Sequence, residues 1–398
     1  WSPGLAISST KGSLFFFFFF SSSCSSAEVL PNGNWRLGVH IADVTHFVKP
    51  DTPIDREAAE RCTTVYLVEK RTDMFPGLLT TDLCSLVSKV DRNTFSVLWE
   101  MTPEGEILNT EFHKAVIHSN AALSYAEAQA RIDDPNDHSE MTEGIRRLNK
   151  IAKIIRKKRM DAGALELASQ EVRFELDKET ADPTDVAEYT SRETNKLVEE
   201  FMLLANCSVA EKILDVFPMY SVLRRHPPPK EDACKQLQKL LSKQGFNDFK
   251  YASNKELADS LNGLNTKDPF FNKLVRMMTC RCMNQAIYFC TGEVERKEYF
   301  HYGLAMPLYT HFTSPIRRYA DVLVHRLLAA SLGLCSIPEQ LHSRPRIHDQ
   351  CEVINTKHRN AQWSGRASVD LHTYLFFNKK GPTVCDAVVT RCRNGGVQ

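Results

Sequence analysis

His301 to His325 reads HYGLAMPLYTHFTSPIRRYADVLVH, and this stretch decides how the rest of the chain is read. Thr313-Ser314-Pro315 is a helix-start signal: Ser314 can cap a helix, and Pro315 suits its first position because no hydrogen bond is lost there. Val322, Leu323, Leu327 and Leu328 recur at helical spacing and Gly333 is a stop, so the expected helix runs from Pro315 to Leu332. Arg317 and Arg318 then lie in its first turn, where free backbone N–H groups already carry partial positive charge. Two cations at that end make sense around a bound anion, of which phosphate is the usual one. The alternative is a plain i,i+4 ion pair between Arg317 and Asp321. Spacing alone leaves both readings open.

Taken together, HYGL, Tyr309, THFTSPIRRY, Asp321 and His325 resemble the signature of the RNase II (RNB) family of exoribonucleases. Members of that family shorten RNA from its 3′ end and release nucleoside monophosphates. The strings LPNGNWRLGVHIADVTHFV, TTVYLVEKRTDMFPGLL, DLCSL, GALELAS, NKLVEEFMLLAN and LRRHPPP extend the resemblance over nearly all of residues 27–380. It implies an α+β catalytic domain, a β-sheet with surrounding helices, followed over residues 381–398 by the opening of an S1-type OB-fold. It also implies that Arg317 acts on the scissile phosphate and that Tyr66, in TTVYL, stacks on a base near the 3′ end. Read without the resemblance, Tyr66 is an ordinary core tyrosine of a strand. Arg318 is expected to bind RNA as a second phosphate contact, the alternative being a neighbouring carboxylate. The likeness is closest to members associated with the eukaryotic RNA exosome. The implied partners are therefore single-stranded RNA and exosome core subunits, with the nucleus or nucleolus as location and the cytoplasm as the alternative. The family's leading nuclease and cold-shock-type domains have no counterpart here, which gives the expectation of a fragment.

Phosphodiester hydrolysis in this family resembles two-metal catalysis, with Mg²⁺ ions about 4 Å apart. Mg²⁺ demands oxygen ligands in near-octahedral array, so several aspartates must converge. The family carries them in an Asp-rich motif of the form DIDDALH, a few residues before the LPNGN turn. Counting back from Leu30, those positions hold Phe20, Ser21, Ser22 and Ser23. Glu28 reads as a surface strand residue and Asp43, in HIAD, as structural, so no metal ligand is assigned. The expectation is a domain with the phosphate-binding arginine but little or no hydrolysis. Two rival readings are a non-catalytic RNA-binding module and a structural exosome fragment that neither binds nor cuts.

An apolar share of 42% over 398 residues suffices for a proper core. Net charge is only +1, so nucleic-acid binding must come from locally focused cations. The twelve cysteines form no CxxC pair, which argues against a zinc ribbon or a secreted disulfide framework and for reduced, intracellular thiols. No segment reaches the roughly 20 apolar residues of a membrane-spanning helix. Residues 1–26 stand apart: they are rich in Ser and Phe and contain no acidic residue. A translated pyrimidine-rich intron end would look like this, and the segment is expected to be an artefact. Downstream, Trp35, Leu37, Val39 and Ile41 alternate as a strand, and a hairpin is expected from Phe95 through Pro103-Glu104-Gly105 to Ile117. Helices are expected at Met141–Met160, Asn195–Ile213, Pro269–Cys290 and Ile347–Phe377, with strand character at Thr383–Val389 and a turn at Asn394-Gly395-Gly396. Arg156-Lys157-Lys158-Arg159 reads as a solvated helix end, Glu199 and Glu200 as ordinary helix charges, and His301 and His325 as packing residues. Arg224, Arg225 and His226 are candidates for lining an RNA path.

Overall fold

The alternating segment around Val39 becomes the strand Trp35–Ala42 at the centre of a six-stranded sheet in the computed structural model. The structure describes residues 15–20, 23–167, 172–176, 183–188, 191–264, 266, 268–382, 384, 389, 392–393 and 395–397. In spatial order the strands are Ile107–His118, Asp91–Met101, Trp35–Ala42, Ser23–Val29, Phe15–Phe20 and Ala121–Ala122. All neighbours are antiparallel except the last pair, which is parallel. Val39 lies opposite Ser25 and Val97, Leu37 opposite Ala27 and Trp99, and Ile41 opposite Ser23 and Phe95. These apolar residues therefore share one face and are fully buried. Helices Glu193–Val216 and Tyr319–Ser331 cover that face. The indole of Trp99 donates to Ser208 at 3.1 Å, and Phe95 meets His325 edge-on at 5.5 Å.

Simple alternation would leave the opposite face wet. It is buried instead, and its small polar side chains satisfy one another. Ser26 Oγ meets His40 Nε2 at 2.9 Å, His40 Nδ1 meets Ser96 Oγ at 2.8 Å, and Ser96 meets Thr94 at 3.1 Å. Burial pushes the His40 imidazole down to about 3, so it is neutral there. Gly38 lies among these groups, where a Cβ would stand 2.5 Å from Ser26 Oγ.

The compositional break after Ser26 is not a structural one. Ser23–Ser26 are buried within the Ser23–Val29 strand, paired residue by residue with Trp35–Ala42. The backbone of Phe15–Phe20 adds the next strand.

The expected helix to Cys290 ends at Cys282, and Ile287–Cys290 is a strand paired with Val222–Arg225. Helix Glu140–Asp161 buries Ile145, Leu148 and Ala152 as its spacing predicts. Its basic end is not merely solvated: Arg159 forms a two-pronged pair with Glu200, whose side chain has no exposure. A separate helical lobe, Glu231–Lys243, Asn254–Asn262 and Pro269–Cys282, has its own core of Leu237, Leu241, Leu257 and Val275. The long helix Arg344–Lys380 follows. Most of the expected Thr383–Val389 strand lies outside the described residues. Cys392–Arg393 pairs with Gly396–Val397 around the expected turn. Among the described residues no helix is long and apolar enough to cross a membrane.

Candidate nucleic-acid interface

The Thr313–Arg318 segment departs from its local signal. The helix begins at Tyr319, and Arg318 before it is extended at φ −138° and ψ 123°. The reason is tertiary. Thr63 bridges to Arg318, Thr64 N–H donates to the Arg317 carbonyl at 3.1 Å, and Tyr319 N–H donates to the Cys62 carbonyl at 2.8 Å. These strand-like contacts outweigh a helical first turn at Ser314. Asp321 reaches back instead and accepts from Ser314 N–H at 2.6 Å. The two arginines are therefore not in a helical first turn.

Asp321 also corrects the pairing. Arg318, not Arg317, holds it, through Nε at 2.8 Å and Nη2 at 2.7 Å. Burial works against the Arg318 charge, but Asp321 outweighs it and raises the guanidinium above its ordinary value. The Arg318 charge is thereby largely spent inside the protein. Arg317 is different: its side chain has no hydrogen bond or ion pair among the described residues. Its surroundings lower it from its ordinary value through desolvation and the adjacent Arg318, although it is exposed.

Tyr66 is brought to the same place. It lies at the end of the short strand Val65–Tyr66, half exposed, two residues beyond Thr64, whose N–H donates to the Arg317 carbonyl. The long helix backs it closely: a Cβ on Gly365 would stand 3.2 Å from the Tyr66 carbonyl. Ser368 of that helix accepts from Val68 N–H at 3.0 Å.

Groups that the signature alone did not single out complete the site. Arg224 lies over the Tyr288 ring at 4.7 Å, and its Nη1 is buried without a partner among the described residues. Tyr288 Oη meets His311 Nδ1 at 2.5 Å. Burial and the neighbouring arginines lower His311 well below its ordinary value and His358 to about 4. Positive charge in the site therefore comes from arginine alone, with Arg317 and Arg224 unmatched. Tyr288 and His358 carry no motif signal, and only the strand pairing and the long helix bring them in. Arg225 turns to Glu298 at 2.8 Å, and His226 to the Asn284 carbonyl at 2.8 Å. His325 stacks on Phe312 at 4.4 Å, and His301 meets Tyr309 edge-on at 5.2 Å.

The residues do not fit Mg²⁺. Phe20, Ser21, Ser22 and Ser23 offer no carboxylate, and among the described residues no three His, Cys, Asp or Glu cluster to hold a metal. Asp43 has both oxygens engaged, by Lys114 at 2.8 Å and Thr45 at 2.6 Å. Glu28 turns to Arg36 at 3.4 Å.

A sheet backed by helices, with an arginine left unpaired on the SPIRRY turn, defines a member of a known class: residues 22–333 match the RNB domain, and the chain belongs to that family. It is 53% identical over 367 residues to the exosome complex exonuclease RRP44 homolog A of Arabidopsis thaliana, covering 92% of this chain and 39% of that protein. The chain thus spans about two-fifths of that relative's length. Among solved structures it is similar to Mycoplasma genitalium RNase R in complex with ribose-methylated single-stranded RNA, with a TM-score of 0.86 and 22% identity. That match covers 97% of this chain and 61% of the other. The yeast Ssd1 structure, described as a pseudonuclease, shares the fold with a TM-score of 0.75 and 22% identity, covering 92% of this chain and 44% of the other.

Proposed function

We propose that this chain is the RNA-receiving part of a 3′→5′ exoribonuclease of the exosome type, which binds single-stranded RNA but lacks the ligands for hydrolysis. The observation that carries the reading is the unpartnered Arg317 guanidinium beside the half-exposed Tyr66. A guanidinium fork complements a phosphate, and a tyrosine face accepts any base, so the pair suits a strand read without regard to sequence. Arg224 supplies a second unmatched cation, whereas Arg318 serves mainly to hold Asp321. Mg²⁺ binding is absent from the reading because positions 20–23 carry Phe and Ser. The relative named as an exosome exonuclease supports exosome core subunits as partners of the full-length protein. A nuclear or nucleolar location, with the cytoplasm as the alternative, is part of the same proposal. The pseudonuclease with the same fold is consistent with RNB architecture persisting without cleavage.

The test is a decay assay on 5′-labelled, unstructured RNA with Mg²⁺, run on this chain and on a version carrying DIDDALH in place of the Phe and Ser positions. Salt-sensitive binding by both, with decay only in the restored version, is expected. Equal Mg²⁺-dependent decay by both would refute the reading.

A further inference from the structure

Where the helical lobe meets Pro228-Pro229 and Tyr302, it leaves an open cavity of about 670 Å³. That volume lies in the range of small-ligand pockets, roughly 300–1,000 Å³. Tyr302 lines it and is 5% exposed, yet its hydroxyl has no partner among the described residues. Glu256 lines it as well, with a buried Oε2 that is also unpartnered. Burial, then Cys234 and Glu256, push the Tyr302 hydroxyl up to about 12, so it stays protonated at neutral pH. A lone carboxylate oxygen beside a lone phenol asks for a ligand with adjacent hydroxyls. A vicinal diol donates to the carboxylate and accepts from the phenol. The acidic residue that holds a ribose hydroxyl in dinucleotide sites uses the same chemistry. Tyr251 and Pro228-Pro229 add flat apolar walls, and Lys250 adds a cation on the rim. The other acid there, Glu231, faces Lys235 of its own helix at 2.6 Å.

We propose that this cavity binds a ribonucleotide through its free 2′,3′-diol, with Glu256 and Tyr302 on the diol, Tyr251 against the base and Lys250 towards the 5′-phosphate. No group there selects among bases. The exoribonuclease reading supplies the source of such a ligand but not the chemistry of the pocket. A nucleoside 5′-monophosphate and the last residue of an RNA strand both carry a free diol, whereas internal nucleotides do not. His226, 5.1 Å from His301, meets the Tyr302 ring edge-on at 6.5 Å.

The test is calorimetric titration of the chain with AMP, UMP and 2′-deoxy-AMP, repeated on Glu256→Gln, Tyr302→Phe and Arg317→Ala proteins of matched melting temperature. AMP and UMP should bind alike, and 2′-deoxy-AMP at least tenfold more weakly. Glu256→Gln and Tyr302→Phe should each weaken AMP about tenfold and leave binding of single-stranded RNA ending in a 3′-phosphate unchanged, with Arg317→Ala doing the reverse. Competition by a short RNA ending in a 3′-hydroxyl, but not by one ending in a 3′-phosphate, assigns the pocket to the strand end. Competition by mononucleotide alone assigns it to the released product. Equal affinity for AMP and 2′-deoxy-AMP, no AMP binding at millimolar concentration, or an unaffected Glu256→Gln protein would overturn the proposal. Loss of RNA binding alone would leave the pocket standing and remove only the exoribonuclease reading.

Discussion

Replacing Arg326 with Met should cost about 3–5 kcal/mol, the usual result of stripping one partner from a buried ion pair. Arg326 is 3% exposed and Asp55 2%, so water replaces neither charge. The guanidinium donates to Asp55 at 2.7 and 3.2 Å, to the Tyr319 hydroxyl at 3.3 Å and to the Val48 carbonyl at 3.4 Å. Without it, Asp55 keeps only the Tyr319 hydroxyl at 3.0 Å and Asp51 N–H at 2.9 Å, and its charge is left uncompensated. At about 2.1 cal/mol/K of unfolding entropy per residue over 398 residues, the loss lowers the melting temperature by about 4–6 °C. Urea and thermal unfolding measure it. Adding Asp55→Ala should recover much of the loss, because the double variant buries no lone charge. Arg61→Ala is the control: its pair with Glu57 is exposed on one helix, and its loss should stay within about 0.5 kcal/mol. A loss below about 1 kcal/mol for Arg326→Met, or a double variant no better than the single one, would refute the reasoning.

Arg317→Ala should weaken single-stranded RNA binding by roughly 10–100-fold at unchanged melting temperature, since a charge-assisted contact contributes about 1.5–3 kcal/mol. Arg318→Ala should instead lower the melting temperature, because Asp321 has no exposure and loses its countercharge; filter binding and melting curves separate the two. Gly38→Ala should cost about 1–3 kcal/mol by overpacking, as its new Cβ meets Ser26, Leu98 and His40 within 3 Å, and urea unfolding reads it. His325, held near 4 by burial, and His301, held near 3, are neutral when folded, while the unfolded chain protonates them below about 6.5. Stability should therefore be full above that pH and fall as the pH drops towards 4, which melting curves across the window would show. RNA binding should stay flat from pH 6.5 to 8.5, because arginine carries the charge throughout.

The hairpin Asp91–His118 and the helix Glu193–Val216 were legible because their apolar periodicities are strong and local. The start of the helix after SPIRRY was not. Ser314-Pro315 is a sound local signal, but the bridge from Thr63 to Arg318 cannot be seen in a window of twenty residues. The same limit hid the Arg159–Glu200 pair, whose members lie on different helices. Ser23–Ser26 did not read as a strand, since serine has little preference for one and only pairing with Trp35–Ala42 places it there. At the site, the sequence pointed to Arg317 and Tyr66, which the fold brings together. It put Arg318 on RNA ahead of a carboxylate, and only the position of Asp321 shows that the charge goes to the carboxylate.

The contacts that assemble this site join residues far apart in the chain: 254 positions separate Thr63 from Arg317, 271 separate Asp55 from Arg326, and 300 separate Val68 from Ser368. During translation the limb bearing Tyr66 emerges first and waits for its partner. At about 5–20 residues per second the wait between Asp55 and Arg326 is roughly 15–55 s. Until then Asp55 lacks Arg326 and Tyr66 lacks Arg317. A nascent chain on the ribosome thus has no assembled grip on RNA, its own message included, until most of the domain has been made.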